Sequence, residues 1–256
     1  MFNNLCFVIV SVGFLLRFAA CSASVQQTII KKPEVQTAII NRSNTDPKIE
    51  ARAEYPRLRV TTNTNLYNIA IQEIADSIVN QFFDDVNTAA KVSPNIYKNK
   101  VSKITLRYDV EVLADKYFGF RLIAEYEDPA LPKVRMEQKG FVFDWISGKK
   151  LALSDLIYVN DSSLQKLSYY CQQQIAENTA LDETKINERK IAASTTPNSY
   201  NFSNFTLAQS SLRIHYEAVD IGQSVANDGV WLTIPLDSIK TIVLPELLTI
   251  LAKPIE

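Results

Sequence analysis

The chain holds one histidine, His215, and three cysteines, Cys6, Cys21 and Cys171, none close to another in sequence. One imidazole excludes any site built on two, including the His-x-x-x-His zinc helix. Three scattered cysteines exclude a Cys-rich zinc or iron–sulfur centre. No metal and no cofactor are therefore expected. Carboxylates are the remaining groups that could do chemistry. Asp144 follows a strand-like run next to a turn, and Asp155 follows Ser154 where a helical turn can start. Turn and cap hydrogen bonds account for both positions. As acids, Asp144, Asp155 or Glu217 would make the chain an envelope hydrolase acting on peptidoglycan or polysaccharide. His215 lies between Ile214 and Tyr216 on a strand, and alternation points it away from the core beside Arg213 and Glu217. No Ser or Cys stands in a setting that would make it a nucleophile's partner. The chain is thus expected to be no enzyme. Recognition falls to His215, Tyr216 and the long loop carrying Asp220, Gly222 and Asp228, since long loops in compact domains are disproportionately functional.

The elements that must position these residues follow from periodicity. Tyr67, Ile71, Ile74, Ile78, Phe82 and Val86 recur at spacings of three and four, predicting a helix over 65–89. A short strand is expected at 57–61. Three alternating runs, 103–114, 118–127 and 133–145, predict an antiparallel meander with Tyr108 and Leu122 on one buried face. In the third run the apolar phase slips from Val134 and Met136 to Phe141, Phe143 and Trp145. A bulge at Gly140 is the economical reading. The mixed-sign face carrying Arg107, Asp109, Glu111, Arg121, Glu125, Arg135 and Glu137 reads as solvated or as a docking surface. A helix over 161–178 carries Leu164, Leu167, Cys171 and Ile175 on one stripe, so Cys171 is expected to be a buried, inert thiol. A polar helix over 182–193 and short strands at 205–207, 212–216 and 230–234 follow, and Pro235 and Pro245 can each open a terminal helix. The fold class is α+β: a two-layer arrangement of an antiparallel sheet, with the central meander and C-terminal strands, and helices packed on one face.

Residues Leu5 to Leu16 form an apolar run of about a dozen residues, short of the roughly 20 a spanning helix needs. It fits a signal-peptide core, followed by Ala19, Ala20, Cys21, Ser22 and Ala23. Phe18-Ala19-Ala20-Cys21 has the form of a bacterial lipobox with Cys21 as the lipidated first residue; ordinary cleavage near Ala23 is the rival. The expected organisation is a signal over 1–23, a flexible tether over 24–54 and one domain over 55–256. The chain is expected to be exported to the bacterial envelope and lipid-anchored, facing the periplasm or the cell surface. Membrane contact would come through that lipid alone. The formal net charge is −1, so no charge excess points to nucleic acid.

Two segments carry a resemblance. Residues 136–157, MEQKGFVFDWISGKKLALSDLI, resemble a motif of a bacterial envelope domain of unknown function through Phe143, Asp144, Gly148, Lys149, Leu151, Leu153, Asp155 and Leu156. Residues 205–240 are similar to its strand, turn, strand, Gly-containing loop and Ile-Pro strand. The same domain looks like the lysozyme-sensing region of the anti-sigma factor RsiV and the non-catalytic N-terminal part of the deacetylase PdaC. The resemblance implies a binding module whose partner is an envelope or host protein, a lysozyme-type protein among the candidates, or a cell-wall glycan. The segment Asp128-Pro129-Ala130-Leu131-Pro132 departs from the family's pattern. If Cys21 carries the lipid, Cys21→Ser will release the protein from membranes or block its maturation. Membrane retention of the variant at mature mass, seen by fractionation and mass spectrometry, would refute this.

Overall fold

The computed structural model describes residues 33–59, 65–180, 187–222 and 229–251. The signal with Cys21, the first part of the expected tether, Thr61, residues 181–186 and the loop tip with Asp228 lie outside them.

The order of elements is β1 (Glu34–Thr45), β2 (Lys48–Arg59), α1 (Asn65–Val92), α2 (Pro94–Tyr97), β3 (Val101–Leu113), β4 (Tyr117–Glu127), β5 (Arg135–Asp144) and β6 (Lys149–Lys150). Then come α3 (Asp161–Ala180), α4 (Glu188–Ser194), β7 (Phe205–Ala208), β8 (Ser211–Tyr216), β9 (Val230–Pro235), α5 (Leu236–Ile239) and α6 (Pro245–Leu251). Strands β1 to β6 form one sheet in sequence order, and β7 to β9 form a second. All pairings are antiparallel except β2 with β3. That pair is parallel because α1 carries the chain back to the starting end before β3 begins. The α+β class stands, with the C-terminal strands forming a sheet of their own.

The expected tether over 24–54 is corrected where the structure describes it. Residues 34–45 and 48–54 are strand, paired in an unbroken hairpin from Glu34↔Arg59 to Thr45↔Lys48. No side chain of β1 is fully buried, so its edge position left no apolar period to read. Of the strand expected at 57–61, the described residues 57–59 are the end of β2.

Helix α1 buries Tyr67, Ile71, Ala75, Val79, Phe82 and Val86 against β2 to β5, each large side chain contributing roughly 1.5–3 kcal/mol. Its start is tied to β2 by polar bonds. Tyr67 donates its hydroxyl to Pro56 O (3.0 Å), and the Asn68 amide bonds both Leu58 N and Leu58 O (2.9 and 3.0 Å). Ser93-Pro94 ends the helix, since proline cannot continue it.

The meander forms as its alternation requires, with Tyr108 directly opposite Leu122 on the α1 face. The bulge expected at Gly140 is absent: β4 and β5 pair without interruption from Tyr117↔Asp144 to Tyr126↔Arg135. The apparent slip arises because β5 is covered on both faces. Phe141 and Phe143 enter the α1 core, while Val142 enters a second core. The register shift lies in β3, between Val110 and Val112, and it turns Val112 toward that second core.

The second sheet supplies this back face. A Cβ at Gly119 would lie 2.6 Å from Leu207 O, and one at Gly140 would lie 2.5 Å from the Phe205 carbonyl carbon. Thr206 donates its hydroxyl to Phe141 O at 3.2 Å. Helix α3 places Leu164, Leu167, Cys171 and Ile175 in the second core, and its Gln174 side chain bonds Thr233 N and O at the edge of β9 (2.9 and 2.7 Å).

Gly140→Ala is expected to cost about 1–3 kcal/mol through forced separation of the sheets. For a domain of this size that lowers the melting temperature by about 2–4 °C per kcal/mol. Calorimetry of the variant measures it, and an unchanged melting temperature would show that β7 does not press on β5.

Candidate functional site

His215 and Tyr216 do not lie on the surface. Both are buried, at 3% exposure each. Arg213, His215 and Trp231 face the six-stranded sheet, so alternation separated two interiors here, not core from solvent. The Tyr216 hydroxyl meets the Cys171 thiol in the second core. Burial, partly offset by the nearby Tyr216 hydroxyl, pushes Cys171 up to about 12, and the thiol is buried as expected.

The mixed-charge face is likewise partly interior. Glu111 receives Arg213 Nη1 on both oxygens (2.7 and 2.6 Å), and Arg121 Nε approaches at 2.5 Å. Arg121 also reaches Asp109 (2.9 Å). The two guanidinium carbons stand 5.4 and 5.5 Å from the Trp231 ring centroid. The expectation of a solvated or docking face is corrected for Glu111 and Arg121, which join the two sheets.

Asn204 ties β5 to β8. Its Oδ1 accepts from Gly140 N (2.8 Å), its Nδ2 donates to Gln138 O (2.9 Å), and its carbonyl accepts from His215 N (2.8 Å). Its Nδ2 also lies 3.2 Å from His215 Nδ1, which accepts when Nε2 carries the proton. The imidazole packs on Trp231, ring centroids 4.8 Å apart.

Beyond this clamp a cleft of about 500 Å3 opens between the end of β8, α4 and the 3-10 turn Ser199–Phe202. Its walls include Lys190, Ser194, Tyr200, Asn204, Glu217 and Asp220, with His215 and Tyr216 beneath. Asn187 caps α4 by accepting from Lys190 N (3.2 Å). Lys190 Nζ donates to Val219 O (3.2 Å), and Ser194 Oγ lies 2.6 Å from Asp220 O. Gly222 has φ +81°, and a Cβ there would stand 2.5 Å from Asn187 Cβ. Its part is to let the turn dock on α4. Glu217 is half-buried, with Oε1 3.7 Å from His215 Nδ1. Burial, then the negative charges of Glu137 and Asp220, push its carboxyl up to about 7; Lys139 and Arg135 pull the other way.

The structure thus brings together His215, Tyr216 and Asp220 from the expected set and adds Glu217, which had been weighed only as a hydrolase acid. Asn204, Tyr200 and Lys190 were not anticipated. They come from α4 and the following turn, and no local pattern links them to β8. Asp144 and Asp155 do not line this cleft. Asp144 accepts from Ile146 N and Ser147 N (3.0 and 3.2 Å) as a turn residue. Asp155 is held below the usual carboxylate range by Lys149 and by Ala152 N. Among the described residues no cluster of His, Cys, Asp and Glu is placed to hold a metal ion, and no helix is long and apolar enough to cross a membrane.

No protein-family profile matches the chain, and no curated protein does. Among solved structures, a member of the DUF3298 family from Bacteroides fragilis superposes with a TM-score of 0.60 at 15% identity, covering 86% of this chain and 97% of that one. The fold resembles that of a DUF3298 protein. A second such structure, from Pseudomonas aeruginosa, gives a TM-score of 0.52 at 11% identity over 85% of this chain and 97% of its own. The likeness is one of fold, to a domain of unknown function.

The raised Glu217 carboxyl has a thermodynamic consequence. The folded state keeps this proton while the unfolded chain releases it, so stability falls as pH rises from about 4.5 toward about 7 and stays lower above. Melting temperatures of the wild type and Glu217→Gln should diverge across that window, the variant declining less. Parallel curves would mean that Glu217 titrates alike in the folded and unfolded states.

Proposed function

We propose that this chain is a non-enzymatic binding module of the bacterial envelope, exported and anchored through Cys21, with a cell-wall glycan seated in the cleft beside Glu217. The observation that carries this reading is Tyr200. It is 80% exposed and stands on the cleft wall with Lys190, Glu217 and Asp220, whose charged groups can still bond a ligand. A sugar asks for that combination: a flat apolar surface for its C–H face and paired donors and acceptors for its hydroxyls. Resemblance of the 136–157 segment to the non-catalytic part of PdaC supports a glycan. Resemblance to the sensing region of RsiV supports a lysozyme-type protein instead.

One observation favours a second reading, a hydrolase. Glu217 holds its proton near neutral pH in a cleft that also contains Asp220, which is what a general acid on a glycosidic oxygen requires. Binding is preferred because Glu217 lies against His215 at the foot of the inter-sheet clamp, where burial by the fold itself explains its proton.

The purified protein should bind acetylated chitooligomers in calorimetry without cleaving them. Tyr200→Ala should weaken that binding about tenfold, the loss of one ring contact. Products that disappear in Glu217→Gln would establish the hydrolase. Capture of a lysozyme-type protein with no glycan affinity would replace the glycan as ligand.

A further inference from the structure

A second cleft, of about 550 Å3, opens on the other side of the Ser199–Phe202 turn. Tyr200 and Ser203 line both, so the two hollows meet across this turn. Their chemistry differs. The first has Glu217, Asp220 and Lys190 on its walls, with Glu137 close enough to act on Glu217. The second is walled by Phe141, Leu151, Leu153, Val159 and Phe205, with one cation, Lys150.

The two lysines of β6 are used differently. Lys149 is paired with Asp155 at 2.7 Å. Lys150 Nζ stands 4.8 Å from the centroid of the Phe141 ring, and among the described residues no carboxylate is within ion-pair distance of it. A second cation, Lys139, acts on it as well. An ammonium on an aromatic face, beside apolar walls and without a counter-ion, gains most from an anion that arrives with a ligand. In the first cleft the lysine, Lys190, is already bonded to Val219 O and stands with Glu217 and Asp220, so an anion would favour Lys150 and the two lobes would fix the ligand's direction.

We propose that the second cleft is a carboxylate subsite, and that one glycan crosses Tyr200 with a neutral sugar in the first cleft and a unit bearing a carboxylate on a short alkyl arm over Lys150. The ligand class is an anionic, alkyl-substituted glycan. This rests on the glycan reading of the first cleft. Each hollow has the volume of a small-molecule site, and the exposed ring between them is the bridge. Solvent reaches Lys150, so its contribution is moderate and sensitive to salt.

Calorimetry with two tetrasaccharides of equal length tests this: neutral acetylated chitotetraose, and a tetramer whose alternate units carry a lactyl ether carboxylate. The wild type should bind the carboxylated tetramer more tightly, and Lys150→Gln should weaken that binding about tenfold while leaving the neutral tetramer unchanged. Added salt should bring the wild type toward the variant. Lys149→Gln, which removes an equal charge one residue away, should change neither. If Lys150→Gln binds the carboxylated tetramer like the wild type while neutral binding persists, the carboxylate subsite is wrong and the first cleft stands. Equal loss in Lys149→Gln would also overturn it, since general surface charge would then be the cause. Binding of neither tetramer would overturn both readings.

Discussion

Where the three-stranded sheet crosses the six-stranded one, the carbonyls of Phe205 and Leu207 press against strands that carry no side chain at the point of contact. Gly140 and Gly119 provide the room. Two sheets usually stand about 10 Å apart with side chains interleaved between them. Here main chain meets main chain over a short stretch, and the polar groups so buried need partners. Thr206 bonds the backbone of β5, Asn204 bonds both Gly140 N and Gln138 O, and Trp231 donates to the Gln138 side chain (2.8 Å). The Glu111 carboxylate with its two arginines closes the more open side of the same junction. Taking any one of these groups away would leave its partners buried and unsatisfied, which costs more than the bond itself contributes.

The cleft is a by-product of that junction. Asn204 and His215 belong to the clamp through their bonds to β5 and to each other, and the same two residues line the cleft. The segment from Glu217 to Gly222 then leaves β8 and is held on α4 by Lys190 and Ser194. A carboxyl group set at this corner loses water on the side facing the sheets and keeps it on the other. That is why Glu217 is half-buried and its carboxyl is pushed up to about 7.

The meander was legible in the sequence because β3 and β4 each put large apolar residues on the α1 face and charged ones opposite. Helix α3 was legible for the same reason. Alternation fails where both faces of a strand are buried. In β5 it produced a false bulge, because Val142 is as interior as Phe141. In β8 it sent His215 to the surface, because a polar residue facing another sheet looks like one facing water. Strand β1 escaped notice for the opposite reason, having no fully buried side chain at all. Of the site, the loop after β8 was visible as a long connection, and Asp220 does reach the cleft. Tyr200 and Lys190 were invisible because tertiary docking, not spacing, brings them to β8.

The two cores divide almost cleanly along the chain. The one under α1 is complete at Trp145, while the other draws nearly all its members from Leu151 onward and needs only Val112, Tyr117 and Val142 from the earlier part. A chain growing from its N-terminus can therefore finish the α1 half while the strands that cover its back are still unmade. Synthesis at about 5–20 residues per second leaves that face bare for several seconds. During that interval Val142, Ile123 and the two glycine-floored gaps offer an unsatisfied surface to any passing strand. A nascent protein of this design has reason to need shielding until residue 235 has emerged.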